Sequence, residues 1–155
     1  MRRVVVSVVL GLSLVSFASA ASTSVAVVEV ANNAKLHTKI LVNGAGMSLY
    51  MYAGDYGKIS ACTDDSTYHC KRAWPPLLTS GTPKAGPGAK RSLLRTAKRQ
   101  DGGTQVTYAG HLLYTWAGAS GAPPRDRKPG DVNGQNVNFD WWVLSPTGKP
   151  IKKTA

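Results

Sequence analysis

The chain has 155 residues, 43% of them hydrophobic, with 16 Gly, 9 Pro and a formal net charge of +11. The length fits one domain, the apolar fraction argues against wholesale disorder, and the Gly and Pro load argues against a helix-rich fold. Nineteen Lys and Arg face eight Asp and Glu, with Glu29 the only glutamate, which leaves few carboxylates for acid–base or metal chemistry.

Met1-Arg2-Arg3 is a short basic start, Val4 to Phe17 an apolar run, and Ala18-Ser19-Ala20 an A-x-A cleavage pattern. This three-part layout predicts a cleaved signal peptide over residues 1–20. The run falls short of the roughly 20 residues a membrane span needs, so no membrane span is expected. Loss of Arg2 and Arg3 lowers the charge from +11 to +9. The expected location is secreted or periplasmic.

Residues 21–37 are small-residue-rich and read as an N-terminal lead-in, although the β-branched run Val25 to Val30 also suits a strand. Lys39 to Val42, the turn Asn43 to Gly46, and Met47 to Gly54 predict a β-hairpin. Cys62 and Cys70 are the only cysteines. In an oxidising compartment the pair reads as a disulfide; a metal site using Cys62, His69 and Cys70 is the alternative, without the usual zinc spacing. Trp74-Pro75-Pro76 reads as an edge strand or extended turn, because proline cannot donate to a ladder. Arg91 to Lys98 reads as a short strand or a helical turn, and its place before the second hairpin suggests a strand.

A second hairpin follows. Thr104 to Tyr108, the turn Ala109-Gly110 and His111 to Gly118 repeat the pattern Leu-Tyr-x-aromatic-Ala-Gly, as Leu49 to Gly54 and Leu113 to Gly118. Trp141-Trp142 then answers Trp74. On a strand these adjacent tryptophans face opposite sides, so one is expected in the core and the other exposed or covering an edge. The predicted fold is all-β: a single domain over residues 38–147, built from two pseudo-repeated hairpin units (about 38–98 and 99–147) with long loops and pseudo-twofold character. Residues 148–155 form a basic tail.

The segment Tyr50-Met51-Tyr52-Ala53-Gly54-Asp55, with the Cys62/Cys70 pair, Trp74-Pro75-Pro76-Leu77, Arg99-Gln100-Asp101-Gly102 and Pro129-Gly130-Asp131 before Trp141, resembles a family of secreted or lipoprotein repeats of uncharacterised function. That family carries a Tyr-x-aromatic-x-x-Asp motif. The resemblance implies a cell-envelope or extracellular bacterial protein and supplies no reaction. In the second copy Ala119 stands where the motif carries Asp, and no anchor cysteine follows the leader.

The candidate binding residues are Tyr50, Tyr52, Asp55, Tyr114 and Trp116: rings able to stack on a flat partner, and a carboxylate able to bond a hydroxyl. The structural alternative packs the rings and uses Asp55 to cap a turn. The oxygen-rich stretch Asp131 to Asp140 loosely resembles a calcium loop without its full spacing. No nucleophile elbow, phosphate loop or dinucleotide fingerprint occurs, so no catalytic residue, metal or cofactor is assigned. The expected role is non-enzymatic binding or structure. The alternatives are a module binding a glycan or an anionic envelope polymer, and a metal-dependent or redox enzyme using Asp55, His69 or the Asp131–Asp140 loop. Nucleic acid is not an expected partner, because no recognised motif accompanies the charge.

Overall fold

The computed structural model describes residues 24–64 and 69–154. The leader assigned to residues 1–20 lies outside them. The described chain is nearly all β. In order it runs β1 (Val27–Asn33), β2 (Thr38–Asn43), β3 (Tyr50–Tyr52), the four-residue helix α1 (Cys70–Ala73), β4 (Lys84–Ala85), β5 (Leu94–Lys98), β6 (Thr104–Tyr108), β7 (His111–Leu112) and β8 (Trp141–Val143). Among the described residues no helix is long and apolar enough to cross a membrane.

The strands form three small sheets, β2-β1-β4, β3-β8 and β5-β6-β7. Within the segment read as a lead-in, β1 pairs antiparallel with β2 from Val28↔Asn43 to Asn33↔Thr38. The segment 91–98 holds both of its readings, a 3-10 turn at Arg91–Leu93 followed by β5. The turn Ala109-Gly110 places both residues at positive φ, 51° and 87°, the twist that two-residue hairpins favour.

The first predicted hairpin is only partly local. Its turn closes through Asn43 and Met47, and Val42 bridges Ser48. Beyond that β3 turns to β8, with Tyr50 opposite Val143 and Tyr52 opposite Trp141. Tyr50 also exchanges both backbone hydrogen bonds with Tyr114, at 2.9 Å each. The two copies of the sequence repeat therefore meet at their tyrosines.

Alternation along the strands explains the core. Ile40, Val42, Tyr50, Leu112, Tyr114, Trp116, Trp141 and Val143 enter one apolar cluster. The residues between them, Leu41, Met51, Leu113 and Trp142, enter a second. Both faces are covered, which is why these strands read as unbroken apolar runs rather than alternating ones. Trp141 and Trp142 do face opposite sides, and both are buried (3% and 8%), so of the two places open to the second tryptophan the exposed one is not taken. Each fully buried large side chain contributes about 1.5–3 kcal/mol relative to exposure.

Candidate functional site

The candidate residues separate into a buried clamp and a ring stack. Tyr50 and Tyr114 are completely buried, so neither ring can stack on a ligand. A buried phenol needs a partner for its hydroxyl. Tyr114 Oη donates to Asp55 Oδ2 at 2.9 Å, and Tyr50 Oη donates to Asp126 Oδ2 at 2.7 Å. Each tyrosine thus takes a carboxylate from the other copy of the repeat.

The second oxygens are held in a matching way. Asp55 Oδ1 accepts from the Ala61 N–H at 2.9 Å, and Asp126 Oδ1 accepts from the Asn133 N–H at 2.8 Å. Gly134 N–H donates to Tyr50 Oη, and Ser60 Oγ lies 2.8 Å from Tyr114 Oη. The carboxylate missing at Ala119 is therefore supplied by Asp126, which sequence reasoning overlooked. Its only signal was a lone acid a few residues beyond the motif register.

Burial sets the electrostatics of the clamp. Desolvation, with the neighbouring carboxylates, pushes both phenols above the ordinary tyrosine range. Desolvation also raises Asp126 and brings Asp55 up to about 6, although the Ala61 N–H, the Tyr114 hydroxyl and the Arg99 charge all favour its ionised form. A carboxyl tuned this far can mark a catalytic acid. Here both oxygens are already taken by protein donors, which fits a structural part.

Arg99 braces the same region. It is buried, pairs with both oxygens of Asp101 at 2.7 and 2.9 Å, and donates to Gln105 Oε1 and the Cys62 carbonyl. The Arg99 guanidinium, with Lys71, holds Asp101 down at about 2. Cys62 and Cys70 form a disulfide, so both sulfurs of the alternative metal site are spent. Among the described residues no group of three or more His, Cys, Asp or Glu is placed to hold a metal. In the calcium-like stretch, Asp131 Oδ2 instead accepts from the Arg127 and Lys128 backbones.

Tyr52 and Trp116 belong to the ring stack. Tyr52 stacks on Trp141 (4.4 Å, 12°), Trp141 on Trp74 (3.8 Å, 2°), and Trp116 tilts against Trp74 (4.2 Å, 40°). The order Tyr52-Trp141-Trp74-Trp116 alternates between the two copies. Such pairs add about 0.5–1.5 kcal/mol each beyond the area they bury. Gly134 is needed against this stack, since a Cβ there would lie 2.7 Å from Trp74. Gly54, in the motif itself, lies under the Tyr52 ring at 2.6 Å by the same measure.

The stack floors a cleft of about 560 Å3, lined by Tyr52, Trp74, Trp116, Trp141, Asn136 and Val137 among others. Asn136 Oδ1 is buried without a hydrogen-bond partner among the described residues. Asn136 and Asn138, which line the cleft, and Phe139 next in the chain all have positive φ (62°, 52° and 62°), and Phe139 is 80% exposed. A bulky side chain rarely adopts that backbone. Of the five candidate residues, then, the structure places Tyr52 and Trp116 at the cleft and buries Tyr50 and Tyr114 beneath it, with Asp55 bound to Tyr114.

No curated protein and no solved structure matches the chain. Residues 95–145, the stretch that runs from β5 to just beyond β8, match the model of a family described as a secreted repeat of unknown function, so the resemblance read from the sequence holds over that stretch.

Proposed function

We propose that this protein is an exported, non-enzymatic module of the bacterial cell envelope or exterior, in which the repeat motif builds the fold and the remaining surface meets a partner. The observation that carries this reading is the commitment of both clamp carboxylates. Asp55 and Asp126 each spend one oxygen on a buried tyrosine hydroxyl and the other on a backbone N–H, and neither is left to move a proton for a substrate. A panel of hydrolase and redox turnover assays on the purified protein tests it, with no activity expected. Turnover that disappears in Asp55→Asn while the fold stays intact would overturn the reading.

A second reading, binding of a glycan in the aromatic cleft, is favoured by the unpartnered Asn136 Oδ1. A buried acceptor without a donor costs about 1–3 kcal/mol, and a ligand hydroxyl entering the cleft would satisfy it. Titration of neutral oligosaccharides followed by tryptophan fluorescence tests this, since three tryptophans line the cleft. Saturable change in the wild type and its loss in Asn136→Ala is the expected result. An unchanged spectrum at every sugar would end this reading.

A further inference from the structure

A second concavity lies away from the aromatic cleft, between the loop Thr79–Pro83 and strand β5. It encloses about 530 Å3, and its walls carry Arg91, Arg95 and Lys98 beside the hydroxyls of Ser80, Thr82 and Thr96; among the described residues no carboxylate lines it. The sequence explains the imbalance. From Ser66 to Gln100 there is no Asp or Glu, while eight Lys and Arg occur.

Arg91, Arg95 and Lys98 are solvent-exposed, and none is within ion-pair distance of a carboxylate among the described residues. Two of the three are steadied by neutral partners. Arg95 Nη1 donates to the Leu94 carbonyl at 2.6 Å, and Lys98 Nζ donates to Thr104 Oγ1 at 2.8 Å. Both keep further N–H donors unspent. Cations gathered in one concavity repel one another, and the low-dielectric walls focus their field into the space between them. An oxyanion entering there relieves the repulsion and collects charge-assisted hydrogen bonds, for which an arginine fork is well shaped. The hydroxyls would serve the uncharged parts of the same ligand.

We propose that this cleft binds a hydroxyl-bearing polyanion, a chain of repeated oxyanions on a polyol or sugar backbone. The proposal rests on the binding-module reading above and gives it a ligand class and a site. The phosphodiester of a polyol phosphate and the carboxylate of a uronate glycan share this chemistry. Their source is decided by using both as probes.

The test measures retention of the wild-type protein on immobilised poly(glycerol phosphate), polygalacturonate and neutral dextran at low and high salt. Beside it run two variants of equal charge. One is Arg91→Gln/Arg95→Gln/Lys98→Gln. The other, Lys149→Gln/Lys152→Gln/Lys153→Gln, removes three exposed charges from the tail. The wild type and the tail variant are expected to bind at least one anionic polymer and not dextran, in a salt-sensitive way. The cleft variant is expected to bind about tenfold more weakly or worse. Equal weakening of both variants would mean that net charge alone acts, and would overturn the site. Tighter cleft-dependent binding of a single-stranded DNA oligonucleotide would overturn the ligand class. Wild-type binding that the cleft variant retains sinks the site and leaves the module reading standing, whereas catalytic turnover sinks the reading itself.

Discussion

In the clamp Tyr50 bonds Asp126, and not Asp55 of its own motif. Tyr50→Phe removes one hydroxyl from a fully buried site. It loses the 2.7 Å bond to the Asp126 carboxylate and the acceptor for the Gly134 N–H at 3.3 Å. A hydrogen bond to a charged group contributes about 1.5–3 kcal/mol, so the variant should be about 2–3 kcal/mol less stable. For a domain of this size that is a fall of roughly 6–12 °C in Tm. The pairing itself is read by double-mutant cycles in urea unfolding. Tyr50→Phe with Asp126→Ala should show a coupling of about 1–3 kcal/mol, and Tyr114→Phe with Asp55→Ala the same. Tyr50→Phe with Asp55→Ala should be additive to within about 0.5 kcal/mol. Coupling in the last cycle and none in the first would refute the crossed arrangement.

Three further outcomes follow from the same structure. Asp55 is raised to about 6 from an ordinary 3.8 by desolvation, so its ionisation weakens the fold. Its contribution is full below pH 4 and falls away as the pH rises through 6, by up to about 3 kcal/mol; urea unfolding from pH 4 to 7 should show the wild type losing stability relative to Asp55→Asn, and parallel curves would contradict the assignment. Gly134→Ala pushes a methyl to 2.7 Å from the Trp74 ring and should cost about 1–3 kcal/mol by overpacking, seen as a lower Tm together with a shifted tryptophan emission. Reduction of Cys62–Cys70, which closes a separation of eight residues, should lower stability by roughly 2–3 kcal/mol in the chain-entropy account, measured by unfolding with and without reductant.

The burial of the two Leu-Tyr segments was legible because it is written in side chains that strands bury. Leu49-Tyr50 and Leu113-Tyr114 put the same residues on the same faces, and counting by two predicts which ring joins Trp141 and which residue lies behind it. Partnership was less legible. Tyr50, Tyr52 and Asp55 are neighbours in the string, yet Tyr50 and Asp55 serve opposite ends of the clamp, because β3 pairs with β8 and with Tyr114 instead of closing locally. Asp126 escaped notice for a related reason. Its loop is longer than the one after Tyr52, so the acid arrives late in sequence although its carboxylate meets a tyrosine in the same manner. For one of the two adjacent tryptophans the sequence left an exposed place open, because a half-exposed sheet is the common case; here a second cluster covers the other face. The cleft acceptor Asn136 carries no signal of its own, since an Asn in the Asn- and Gly-bearing stretch from Asn133 to Asn138 reads as turn chemistry.

The crossing of the clamp also governs the order in which this protein can become a protein. Its hydroxyl–carboxylate contacts join residues 76 and 59 positions apart, and among the described strands β3 pairs with β8. A chain threaded N-terminus first, from a ribosome or through a membrane pore, would carry its first repeat with one tyrosine unanswered and half of its ring stack absent. Contacts this distant in sequence form late and slowly. Delivered in that order, the chain can complete its clamp and ring stack only when almost its last strand has arrived.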